Sequence, residues 1–196
     1  MRYPIKYFDC KILSEQEVCR VFREYGMLFA QIGGFLGEVR GDTAIPGLKL
    51  DFNDGLRLQV PEGNWHVHIH DYLYETDYFE EDVQEVVLVS LEKYFIHWQI
   101  DVYLDAQMVF SHQFDPTGQK VHFIFFSRGL GDTLALLPYM GAFLKEYQAQ
   151  GSYYTKEWLQ GVFQRYYPEL SCQEELEDEN YATFFMQVII GKSFWM

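Results

Sequence analysis

The spacing of apolar residues changes period twice along the chain, and the changes divide it into three stretches. Over residues 14–31, "SEQEVCRVFREYGMLFAQ", the residues Val18, Val21, Phe22, Tyr25, Leu28 and Phe29 recur at three- and four-residue steps. That spacing lines one face of a helix. Ser14 and Glu17 form a capping box at its start, each side chain taking a backbone N–H that a helix end leaves unpaired. Gly33, Gly34 and Gly37 break the pattern, and 38–47 read as a loop.

From Lys49 to Phe114 the period falls to two. Leu56, Leu58 and Val60 alternate with Arg57 and Gln59, and Trp65, Val67 and Ile69 alternate with His66, His68 and His70. Residues 86–91 form a continuous apolar run, and "YFIHWQIDVYL" and "QMVFSHQF" follow. The intervening "FNDG", "PEG" and "DPTG" carry hairpin-turn residues. Six or so short strands at this spacing predict a small β-sandwich or β-barrel. After Lys120 the order is a buried strand "KVHFIFF", a loop "SRGLGD", a helix "TLALLPYMGAFLKEYQAQ", a helix "TKEWLQGVFQRYY" ended by Pro168, an acidic loop "QEELEDEN" and a strand "YATFFMQVII". Strand–helix–helix–strand opens an α/β domain with a parallel sheet. The stretch "GSYYTKEW" between the helices reads as too short for a strand of its own. The fold class expected is therefore α+β in two parts: 1–47 helix and loop, 48–118 β-rich, and 119–196 the beginning of an α/β domain.

Charge narrows the partners. Fifteen Lys and Arg stand against 29 Asp and Glu, a net charge of −14. Such a chain repels phosphate backbones and anionic lipid, which argues against nucleic acid and membrane surfaces. Aromatics reach 18%. Cys10, Cys19 and Cys172 fit no zinc spacing and read as reduced thiols. The N-terminal "MRYPIKYFDCKIL" lacks an apolar core of the signal-peptide kind, and no run approaches the ~20 apolar residues of a membrane span. A soluble, cytoplasmic protein without membrane insertion is the expectation.

Three stretches carry candidate chemistry. His66, His68 and His70 project from one face of a strand, and a set of imidazoles with an open position is a catalytic metal arrangement. The opposite face, Trp65, Val67 and Ile69, is a good core face, so polar residues facing solvent explain the histidines more simply, and no metal is assigned. "GKS" at Gly191–Ser193 lacks the earlier glycine of a phosphate-binding loop, because residue 186 is Met. "DFNDG" lacks the glutamate of a calcium loop and reads as a turn. "SRGLGD" differs by its place, between a buried strand and a helix. Gly129 and Gly131 admit a ligand to the backbone there, and the helix start offers free N–H groups. Asp132 is equally a helix N-cap or first-turn residue and a carboxylate at the carboxyl end of a strand, where open α/β sheets place their sites.

The order of the segments adds what no single one supplies. "LDFNDGLRLQVPEGNWHVHIHD" (50–71), "KYFIHWQIDVY" (93–103), "FIFFSRGLGDTLALLPYMGAFLKEYQAQG" (123–151) and "YYPEL" (166–170) together resemble the bacterial autotransporter heptosyltransferases over roughly residues 48–170. The resemblance implies a β-rich N-terminal domain followed by a GT-B glycosyltransferase core of two Rossmann-like halves, so residues 119–196 would be an incomplete first half. It implies ADP-heptose as donor, serines of an autotransporter passenger as acceptor, inversion at the anomeric carbon, a cytoplasmic location and a large homo-oligomer. It places the general base on Asp132, with Arg128, Gly129, Gly131 and Thr133 as substrate-binding residues.

The departures are equally definite. The second Rossmann-like half and the family's cysteine-rich metal site have no counterpart in this sequence. The chain reads as truncated and inactive alone, with no cofactor of its own. The rival readings are a non-catalytic passenger-binding or assembly module, and a metal site built on the three histidines. A further expectation is aggregation, since strand 181–190 would lack neighbours.

Overall fold

The computed structural model describes residues 5–9 (backbone), 38–53, 55–90, 96–125, 129–173 and 180–186. The helix expected over 14–31, Cys10, Cys19, Arg128 and the "GKS" stretch lie outside the described residues. The chain divides into two compact units, Met1–Asp115 and Pro116–Met196.

Among its described residues the first unit holds eight strands: β1 (Ile5–Asp9), β2 (Lys49–Asn53), β3 (Arg57–Val60), β4 (Trp65–Asp71), β5 (Thr76–Val83), β6 (Val86–Ser90), β7 (Trp98–Leu104) and β8 (Gln107–Gln113). Their pairings with one another are antiparallel. One sheet runs β1-β6-β3-β2 and the other β5-β4-β7-β8. β1 falls where a helix and loop alone were expected.

The second sheet follows the period-two pattern closely. Trp65, Val67, Ile69, Trp98, Ile100 and Val102 are buried, and the residues between them are partly exposed. The first sheet does not follow it. Along β3 only Gln59 escapes full burial, and Arg57 is 2% exposed. Asp51, its register partner on β2, explains the exception. The Asp51 carboxylate accepts Arg57 Nε at 2.7 Å and Nη2 at 2.5 Å, together with the backbone N–H groups of Arg40 and Asn53. A buried guanidinium persists only when paired and hydrogen-bonded in this way.

The second unit holds β9 (Lys120–Ile124), α1 (Leu130–Tyr147), β10 (Gln150–Tyr154), α2 (Glu157–Tyr166), β11 (Ser171–Cys172) and β12 (Ala182–Phe185). β12-β9-β10-β11 is parallel throughout. The strand between the helices corrects the expectation from sequence that this segment is too short. Five residues suffice because Gly151 lets Leu144 of α1 sit where a Cβ would be, 2.7 Å away. Ser152 and Tyr153 are then buried beside β9. Phe163 of α2 lies against Tyr153 and Phe125 with ring centroids 4.3 and 4.8 Å apart. Phe143 of α1 meets Phe123 and Phe184. No helix among the described residues is long and apolar enough to cross a membrane.

Candidate functional site

In the second unit the chemistry stands at a strand end. β9 is buried from Val121 to Ile124, leaving no polar side chain along it except His122. His122 Nδ1 lies 2.8 Å from Ser152 Oγ on β10, and burial pushes the imidazole down to about 4. This pair is interior structure, away from solvent.

The chain leaves β9 and begins α1 at Leu130, three residues before the expected start. Gly129 is the N-cap, in an extended conformation, and no side chain caps the helix. Asp132 is therefore the third residue of the helix, in its first turn, and not the N-cap. A carboxylate there gains from the helix dipole. Thr133 is fully buried and its hydroxyl donates to Gly129 O at 3.3 Å, so its Oγ serves the helix's own backbone. A Cβ added at Gly131 would meet open space, with nothing within 4 Å. Nothing among the described residues requires a glycine at that position, and a glycine in a helix costs roughly 0.5–1 kcal/mol against alanine.

In the first unit the chemistry stands on a sheet face. β4 turns His66, His68 and His70 to the partly exposed side. His66 Nδ1 lies 2.9 Å from Asp82 Oδ1, with Glu80 at 4.0 Å from Nε2. His66 and His68 line a cavity of about 730 Å³ with Glu80, Asp82 and Tyr103. His68 and His70 turn to one another instead, with ring centroids 4.5 Å apart.

A β-bulge on β5 shapes this end. The β4–β5 register passes from Ile69↔Phe79 to His70↔Asp77, leaving Tyr78 unmatched. Strict alternation would give Asp77 the core side it shares with Phe79. The extra residue resets the parity. Tyr78 packs on buried Trp98, and Asp77 Oδ1 reaches His68 Nε2 at 2.7 Å. From the other side β7 brings Asp101, the register partner of His68. One nitrogen from each of His68 and His70 and one oxygen of Asp101 lie within 4.8 Å of one another. The grouping inferred from the strand alone was three histidines. The fold separates His66 and substitutes a carboxylate from a strand 30 residues on, which only the cross-strand register reveals.

Comparison with known proteins places these two regions in context. Residues 45–106 match the family model described as Glycosyltransferase TibC, N-terminal domain. The inactive autotransporter heptosyltransferase BimC of Burkholderia thailandensis is 31% identical over 104 residues, covering 53% of this chain and 25% of BimC. The autotransporter heptosyltransferase Aah of Escherichia coli is 27% identical over 152 residues, covering 75% of this chain and 39% of Aah. A match of that length in a chain of 196 residues includes Gly129–Thr133 wherever it begins. The crystal structure of the iron-containing dodecameric glycosyltransferase TibC from enterotoxigenic E. coli H10407 aligns with TM-score 0.67 at 26% identity, over 74% of this chain and 40% of TibC. The TibC complex with ADP-D-beta-D-heptose has the same fold likeness, TM-score 0.68 at 24% identity. The likeness to autotransporter heptosyltransferases expected from the separated motifs is thus found in sequence and in fold. The chain spans 25% to 41% of the length of these relatives.

Proposed function

We propose that this chain is the N-terminal part of an inverting protein O-heptosyltransferase. Its second unit is read as the opening of a Rossmann-like half, and Asp132 as the general base. The observation that carries this reading is the position of the Gly129–Thr133 turn. β10 and β11 succeed β9 on one side, while β12 returns to its other side. The strand order therefore reverses beside β9, and open α/β sheets bind ligands outside the carboxyl ends of the strands at such a reversal. The chain leaves β9 at that end and enters α1 with Asp132 in its first turn. Gly131 keeps space that the chain itself does not use.

The chemistry asked of the turn is modest. A serine Oγ of the passenger attacks the anomeric carbon of ADP-heptose, and the C–O bond to the diphosphate breaks. ADP departs with the electron pair, and the hydroxyl proton passes to the Asp132 carboxylate. A positioned base contributes about 10²–10⁴-fold to such a step. N–H groups at a helix start favour the developing diphosphate charge, and α1 presents its own beside Asp132. The ADP-heptose donor and a homo-oligomer come to the reading from the relatives, and the passenger acceptor and a cytoplasmic setting from the family resemblance of the sequence.

The relatives continue well beyond the matched region, so the test supplies what they add. The chain is joined to the C-terminal portion of TibC and assayed for transfer of labelled heptose onto a passenger. Asp132→Asn is expected to lower kcat by about 10²–10⁴-fold with little change in KM. A wild-type rate in that variant removes the base assignment.

One observation favours a second reading, a passenger-binding module without chemistry: BimC, one of the relatives, is named inactive. Passenger capture by the chimera without transfer, unchanged by Asp132→Asn, supports that reading over the first.

A further inference from the structure

The polar face of the second sheet holds a grouping that the glycosyltransferase reading does not use. We propose that His68, His70 and Asp101 bind one divalent transition-metal ion of the zinc type, joining β4 to β7. The inference stands on this face alone and is independent of Asp132.

The geometry begins with register. His68 and His70 are two positions apart on one strand, and Asp101 lies directly across from His68. Their donor atoms lie within 4.8 Å of one another. Ligands about 2.1 Å from a tetrahedral ion stand roughly 3.4 Å apart, so the group has at most roughly 1.4 Å to close. Rotation of partly exposed imidazoles covers that distance.

Two of the three candidate ligands are already held from behind. Asp77 Oδ1 lies 2.7 Å from His68 Nε2, which directs Nδ1 to an ion. Asp101 Oδ1 accepts Ser111 Oγ at 2.7 Å and Gln99 Nε2 at 2.8 Å, leaving Oδ2 for coordination. Carboxylates behind imidazoles and donors behind carboxylates are the usual outer support of a metal site. His70 Nδ1 is buried and has no hydrogen-bond partner. A buried ring nitrogen without a partner has lost its water for no return, and an ion bound to His70 offsets that loss.

Ordinary surface pairing accounts for His66 with Asp82 and Glu80. It does not account for two stacked imidazoles beside a carboxylate that belongs to another strand. Two imidazoles and one carboxylate select zinc, iron, cobalt or nickel over calcium and magnesium, which take oxygen sets.

The test is equilibrium dialysis of the purified, untagged chain against zinc, then metal analysis, thermal unfolding with and without the ion, and visible spectra of the cobalt form. The expected result is one zinc per chain, a higher Tm with zinc, and a cobalt spectrum without thiolate charge-transfer bands. His70→Ala should abolish stoichiometric binding and Asp101→Asn should weaken it at least 10-fold, while His66→Asn retains it. Asp101→Asn preserves shape, so it decides the matter even where His70→Ala fails to fold. Three results overturn the proposal: no stoichiometric zinc, zinc retained at full affinity in Asp101→Asn, or thiolate bands that put the ion on a cysteine.

Discussion

The two units place polar groups in opposite ways. In the antiparallel sheet of the first unit, one side of β4 is core and the other collects His66, His68, His70 and their carboxylate partners over its whole length. In the parallel sheet of the second unit, β9 is buried along nearly its whole length, and the proposed base, Asp132, stands beyond its end, in the first turn of α1. The cause is coverage. Antiparallel sheets leave one face to water, whereas parallel sheets with crossover helices bury both. A sheet face offers groups separated by register and able to act together on an ion. A strand end offers a helix start and a single well-placed side chain.

The sharpest way to break this contrast is to ask what happens when charge enters the interior of the first unit. Asp51→Ala leaves Arg57 buried without its partner, and breaking such a pair costs about 3–5 kcal/mol. Denaturant unfolding should show that loss, while Asp51→Leu combined with Arg57→Met should recover most of it. A loss well below 1 kcal/mol in the single variant would mean that the pair is wetter than its 2% and 7% exposures imply.

The second unit has its own interior polar group, and it answers to pH. His122 is held down to about 4 by burial, against 6.5 when unfolded. Above 6.5 both states carry it neutral, and its effect on stability is nil. As pH falls from 6.5 toward 4 the unfolded chain takes a proton that the folded chain refuses, and stability drops. At 1.36 kcal/mol per unit the loss reaches about 3 kcal/mol. Below about 4 it levels off. Comparison of Tm against pH with His122→Asn isolates this share from carboxylate titration. Parallel curves for the two proteins between pH 6.5 and 4 would refute it.

The smallest effect concerns the strand-end turn. Gly131→Ala meets no clash and should raise stability by roughly 0.5–1 kcal/mol. In the TibC chimera the same substitution should slow transfer, because the new methyl occupies space kept for a ligand. A variant that is both more stable and fully active would show that the space is idle.

Much of this organisation is legible in the chain. The alternation of Trp65, Val67 and Ile69 with the histidines gives the faces of β4 correctly, and a helix start is found after "KVHFIFF", though Leu130, Gly131 and Asp132, expected in the loop, belong to α1. What escapes is whatever depends on partners far along the sequence. Arg57 reads as an outward residue because alternation counts positions and cannot see Asp51 across the ladder. β10 is missed because the stretch between the two helices reads as too short for a strand, and its burial is supplied by Leu144 and β9. Asp101 joins His68 and His70 through register alone, and Asp77 joins them through a bulge, for which local patterns carry no sign. The turn was legible because its parts are contiguous. The histidine face was half legible because its parts are not.

The bulge at Ile69–His70 bears on how this hairpin tolerates change in length. Tyr78 is the residue stored there, and it sits outside the one-to-one ladder. Deleting it would restore plain alternation, with Asp77 then adjoining Phe79 and still across from His70. The hairpin can therefore lose a residue at this spot and keep its carboxylate beside the imidazoles. A change that merely smooths the kink while keeping Tyr78 would turn Asp77 inward and cost the fold a buried charge. For this stretch, deletion of the stored residue is the mild change, and regularity with that residue kept is the hazardous one.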